Sequence, residues 1–275
     1  MTQTSRWPGI VSLVFGALLL VGVAQSCLAH TEFVSYHPFN VAWIAIAIGL
    51  ATLTLLANRA ELDVRAVAPY LGFGGIGCVI AFVLQGIVNP MITRWIEPPP
   101  FGAGSYLLLG IGAAVCQTIG KWGAVQGLDL MLRPTSPRAV LALGLGVGLG
   151  FAGTEIVVIG QQTIGAETAL APPALLSLWE RASAGGFHVY SGALVAIGVV
   201  RRKLGWIALV VLLHSLLDWL AGAVGANLVP LPLPAIEGIF LLVAIATWAI
   251  YLRAKDGLEP WMIRGDRSSR ASARA

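Results

Sequence analysis

The sequence predicts an all-α, polytopic membrane protein, a bundle of about eight transmembrane helices, and three observations carry that expectation. The 275 residues are 57% hydrophobic and only 11% charged, with a mean hydropathy of +0.83, beyond the range of soluble domains. Apolar runs long enough to cross a bilayer, about 17 to 25 residues each, recur from end to end. The basic residues gather on alternate connections between those runs.

The runs lie at about 9–29, 40–57, 67–89, 104–125, 138–160, 182–200, 204–222 and 235–252. Backbone groups in lipid must be satisfied within the segment, and the runs lack the alternating polarity of barrel strands, so each is expected to be a helix. Residues 1–252 then form a single integral membrane domain, and 253–275, ending "GDRSSRASARA", a basic tail expected to be disordered and drawn to anionic lipid.

The first run also has features of a signal peptide, with Arg6 ahead of it and Cys27-Leu28-Ala29 loosely like a cleavage site. Gln25 and Ser26 make a poor lipoprotein signal, and the remaining topology is the same either way. Cys27, Cys78 and Cys116 are odd in number and all in apolar runs, which favours small core residues over a disulfide framework.

Charge sets the expected orientation. With the N-terminus inside, 15 of the 17 Lys and Arg residues fall on the cytoplasmic side, and only Arg94 and Arg181 fall outside. Both termini are therefore expected in the cytoplasm of a cell bounded by a bacterial inner or plasma membrane. Lys121 joins the inner set by snorkelling to the inner surface. Outer loops carry turn formers ahead of a span, as in Glu97-Pro98-Pro99-Pro100, Pro172-Pro173 and Pro230-Leu-Pro232-Leu-Pro234.

Ionisable groups inside spans are costly, and each is a functional candidate. The stretch "LGFAGTEIVVIG" sets Glu155 in an apolar run, "WERASAGGFHVYSG" brings His188, and "LLHSLLDWLAG" brings His214 and Asp218. His214 and Asp218 are spaced i, i+4 and share a helix face. Counted from the expected outer ends at 1.5 Å per residue, Glu155 lies roughly 8 Å deep, His188 roughly 9 Å, Asp218 about 6 Å and His214 about 12 Å, so the four share one outer layer.

A Glu, two His and an Asp at one depth suit a site that binds a divalent metal, zinc above all, or activates a water; His188, His214 and Asp218 are the candidate ligands and Glu155 the base. A hydrogen-bonded clamp between helices is the competing reading for each histidine. Glu180-Arg181 beside Trp179 reads as an interfacial ion pair, and Glu237 at a span boundary as solvated. The series Gly144, Gly146, Gly148, Gly150 and Gly153 lies within a span and reads as close helix packing rather than a nucleotide fingerprint.

At these residues the chain resembles the intramembrane protease superfamily that includes the PrsW-like, YhfC-like and CAAX-protease/bacteriocin-processing families. The likeness spans roughly residues 104–222, where "GLGFAGTE", "ERASAGGFH" and "HSLLD" follow one another in the family's order. It implies a hydrolase of membrane-embedded polypeptides, with catalytic Glu155, His188, His214 and Asp218, and with Gln117 or Arg181 holding the substrate or the oxyanion. The family's paired glutamates are replaced here, in "CQTIGKWG", by Gln117 and Thr118. Either Glu155 takes over the base's role, or the chain is a non-catalytic relative acting as a membrane binding partner, immunity factor or small transporter. Expected partners are membrane lipid and a membrane-protein or peptide substrate, with no nucleic acid.

Overall fold

A computed structural model describes residues 64–96, 101–163 and 172–258, together with Thr54 and Asn58. These residues are all-helical. Six helices follow in order, α1 (Val64–Thr93), α2 (Ala103–Leu132), α3 (Pro137–Thr163), α4 (Pro172–Val200), α5 (Leu204–Gly225) and α6 (Leu233–Asp256), with no strand among the described residues. All six are long and apolar enough to cross a membrane, the pattern of an integral membrane protein. They correspond to the third to eighth expected spans; the first two spans, Cys27 and the tail beyond Leu258 lie outside the described residues, except for Thr54 and Asn58.

The helices overrun the apolar runs that announce them. α1 and α2 have 30 residues each, about 45 Å at 1.5 Å per residue, enough to cross the hydrocarbon core and both interfacial layers. Hydropathy registers only the middle of such a helix, which is why α2 continues to Leu132 and α4 begins at Pro172.

α3 and α4 are the centre of the bundle. Their span windows are 83% and 72% buried, against 28% to 39% for the other four, and the interface between these two helices is the most extensive in the protein. α1 and α6 flank the pair, and α2 and α5 pack on one another along its other side. The main core joins Val140, Leu145, Val147 and Leu149 of α3 to Val189, Leu194 and Ile197 of α4, with Tyr251 of α6. A second cluster joins Phe187, Leu217, Leu220, Ile236 and Phe240 across α4, α5 and α6. Large apolar side chains such as Val83, Ile87, Leu212 and Leu242 are exposed on the outer helices, where lipid would cover them.

Small residues set the α3–α4 distance. A Cβ on Gly148 would meet the carbonyl oxygens of His188 and Val189 at 2.5 Å, and one on Gly192 would lie 2.6 Å from the Gly148 Cα, so the two backbones are in contact at this level. The expectation of close packing holds here and at Gly144, Gly146 and Gly150, whereas Gly153 has open space beside it. Cys78 and Cys116 are free and buried. Asn58 closes one helical turn on the Thr54 carbonyl, and Tyr251 donates to its Oδ1 at 3.5 Å, which ties this point to α6.

Candidate functional site

In a helix, long side chains lean back toward the N-terminus. Glu155 on α3 and His188 on α4 run in opposed directions, so they lean toward each other just beyond the Gly148–Gly192 contact. His188 Nε2 and Glu155 Oε2 are 2.5 Å apart, a close electrostatic contact set off the line of a directional hydrogen bond. Phe151, one turn before Glu155, stacks on the His188 ring at 5.1 Å and 30°.

His214 on α5 completes an aromatic group. Its ring lies 5.1 Å from that of His188 at 74°, and the Phe187 ring stands edge-on to both, 5.5 Å from His188 and 5.1 Å from His214. Asp218 Oδ2 is 3.6 Å from His214 Nε2, beyond hydrogen-bond range, and 29% of the Asp218 side chain is exposed while the other three residues are buried. The structure thus brings Glu155, His188, His214 and Asp218 together from three helices. The approach is direct, and it holds although the helix ends differ from those used to estimate depth.

Lys121 is one of two residues that sequence reasoning misplaced, Glu237 being the other. Lys121 is 0% exposed rather than snorkelling to a surface. Its Nζ donates to Ser191 Oγ at 3.0 Å, and Ser191 in turn donates to the His188 carbonyl at 3.1 Å. The ammonium also sits over the rings of Phe151, at 4.8 Å, and Phe187, at 5.4 Å, a cation–π cradle made of the same rings that enclose His188. Ser191, one turn beyond His188 on α4, carries no sequence signal of its own.

Gln117 lies one turn before Lys121 on the same α2 face and is buried, with its Oε1 unpartnered among the described residues; the neighbouring Thr118 Oγ1 is likewise buried and unpartnered. Gly110, two turns before Gln117 on that face, abuts the α5 backbone at Ser215 and Trp219. Arg181 is paired with Glu180, partly exposed, beside the exposed Trp179, as expected of an interfacial ion pair. It stands two turns before His188 on α4, nearer the helix start than the cluster. Glu237 is buried against the α4–α6 core rather than solvated, and its Oε2 has no partner among the described residues.

The candidate metal ligands are His188, His214 and Asp218. His188 Nε2 is turned to Glu155, which leaves His214 and Asp218 as the adjacent donors, and no group of three His, Cys, Asp or Glu residues is arranged to hold a metal ion among the described residues. Structural zinc takes four protein ligands and catalytic zinc three. The arrangement offers instead a carboxylate against an imidazole, a second imidazole with an open Nδ1, and an enclosed ammonium, which is the equipment of proton transfer. No protein-family model matches the chain, and no curated protein matches it in sequence.

Proposed function

We propose that the protein is a membrane-embedded hydrolase of the intramembrane-protease kind, acting by acid–base chemistry on a polypeptide held in or beside the bilayer. The observation that carries the reading is the Glu155–His188 contact of 2.5 Å, sealed by Phe151 and Phe187 and flanked by a wholly buried lysine. A cation, a carboxylate and two imidazoles inside a bundle are costly to keep, and such groups mark functional sites in membrane proteins.

In this reading Glu155 accepts a proton from a water as its oxygen bonds to the substrate carbonyl carbon. Glu155 passes that proton across the 2.5 Å contact to His188, which delivers it to the leaving amine as the C–N bond breaks. Lys121 and the Gln117 amide donate to the oxyanion, His214 with Asp218 orients the water, and Arg181 at the mouth contacts the substrate. Each of these steps uses side chains alone.

The reading places the protein in a bacterial inner or plasma membrane with both termini cytoplasmic. Labelling of a cysteine introduced at position 202, but not one at position 97, from outside intact cells would invert that orientation. The test of function is profiling of new peptide termini in membranes from cells expressing the wild type or Glu155→Gln. Cleavages present with the first and absent with the second, at equal protein level, support the hydrolase; identical profiles remove it.

A second reading rests on a separate observation, that Gln117 and Thr118 occupy the positions where the resembled families carry paired glutamates. On that reading the cluster is a polar lock in a non-catalytic membrane protein, and Glu155→Gln leaves function intact while His214→Ala lowers thermal stability.

A further inference from the structure

At the opposite end of α4 from Arg181 the chain turns into α5 through three consecutive basic residues, Arg201, Arg202 and Lys203, with Arg202 in the left-handed conformation at φ 51°. A groove of about 560 Å³ opens there, lined by Arg201, Lys203, Gly205, Trp206 and Leu209, none of them acidic.

Three features make this groove more than a basic loop. The N-cap of α5 is Lys203, whose side chain makes no cap hydrogen bond; Trp206 N–H donates to the Lys203 carbonyl at 3.3 Å, which leaves the Leu204 and Gly205 amides of this 22-residue helix for an outside acceptor at the positive end of its dipole. The Arg201 Nε is buried and has no partner among the described residues, a donor that wants an anion. Below the groove, Leu204, Leu212 and Leu216 are exposed along one α5 face, while the indole of Trp206 sits at the helix start, where aromatic side chains meet the headgroup layer.

We propose that this groove binds the phosphate of an anionic lipid headgroup. Arg201 and Lys203 supply the charge, the Leu204 and Gly205 amides donate hydrogen bonds to the phosphate oxygens, and an acyl chain lies along the exposed leucines. The inference is independent of the hydrolase reading, because none of its residues belongs to the Glu155 cluster.

The test uses the full chain in nanodiscs of phosphatidylcholine, with or without phosphatidylglycerol, and native mass spectrometry to count retained lipid. Phosphatidylglycerol should be retained in preference to phosphatidylcholine. Lys203→Gln, at an exposed position, should weaken that retention about fivefold and the Arg201→Gln/Lys203→Gln double variant further, while Arg138→Gln at the start of α3 changes it less than twofold. Soluble glycerol phosphate distinguishes the source: failure to displace the lipid supports a headgroup with its acyl chain, and full displacement at equal concentration overturns the lipid in favour of a free phosphoester. Equal retention of both lipids, or a folded Lys203→Gln variant with unchanged preference, overturns the site.

Discussion

Among the described residues there are two carboxylate–imidazole pairs, and they differ in how they are made. His214 and Asp218 are neighbours on one helix, 3.6 Å apart, with Asp218 partly exposed. Glu155 and His188 come from two helices, 2.5 Å apart, both buried under Phe151. The first pair follows from a four-residue spacing and would be adjacent in any helix. The second exists only because α3 and α4 approach to backbone contact at Gly148 and Gly192. A spacing guarantees proximity, whereas a costly cross-helix contact needs a scaffold built to hold it, and for that reason the second pair carries the proposed chemistry.

The most severe way to break the contrast is through the scaffold. Gly148→Val places a side chain where the His188 and Val189 carbonyls already stand, so α4 must move. Its cost is on the order of 3 kcal/mol or more, because backbone cannot yield as a side chain can. Thermal unfolding in detergent should show a large loss of stability. A variant as stable as the wild type would mean that the helices are not in contact here.

Next in size is the effect of Glu155→Gln on activity. The amide keeps the shape and much of the hydrogen bonding but cannot accept a proton, so cleavage should fall on the order of 10²-fold or more with folding preserved. Asp218→Asn, the matching change in the looser pair, should reduce it less than about tenfold. Equal losses would erase the distinction between the pairs.

Much of this arrangement was legible in the sequence, and the failures share a cause. Glu155 stood out because it is the one charged residue between Arg138 and Glu167, and the His214–Asp218 spacing fixed a shared face before any coordinates. Lys121 was misplaced because hydropathy ended its span near residue 125, a short reach from the surface. The helix runs on to Leu132, which leaves Lys121 roughly 16 Å from its end, too deep for a lysine to snorkel. Glu237 was misread because its place near the start of its helix suggested solvent, whereas the side chain is buried. The Lys121–Ser191 bond and the aromatic enclosure had no local signal, since they join residues far apart in the chain.

Lys121 therefore offers a sharper test of what the enclosure is for. Its ammonium has one hydroxyl partner and two ring faces, modest compensation for burying a charge, and a buried ion replaced by an apolar residue of similar volume often leaves stability unchanged or raises it. Lys121→Met should keep or raise the unfolding temperature while lowering cleavage by about tenfold or more. A marked loss of stability would assign the lysine to the fold, and the proposed oxyanion role would go with it.

The smallest expected effect is also the most direct comparison of the pairs, a double-mutant cycle on each read as thermodynamic stability. Coupling across the Glu155–His188 contact should approach about 1.5 kcal/mol, near the upper end for polar contacts between membrane helices. The His214–Asp218 cycle should give about 0.5 kcal/mol or less, as for i, i+4 pairs, because 3.6 Å is too long for a hydrogen bond. Zinc separates this loose pair from a metal site in the same experiment. Two donors without a third hold a divalent ion weakly, so zinc at micromolar concentration should leave the His214–Asp218 coupling and the unfolding temperature unchanged. A zinc-dependent rise in unfolding temperature that His214→Ala abolishes would show that His188 can leave Glu155 to join the set, and the two pairs would then be halves of one metal site.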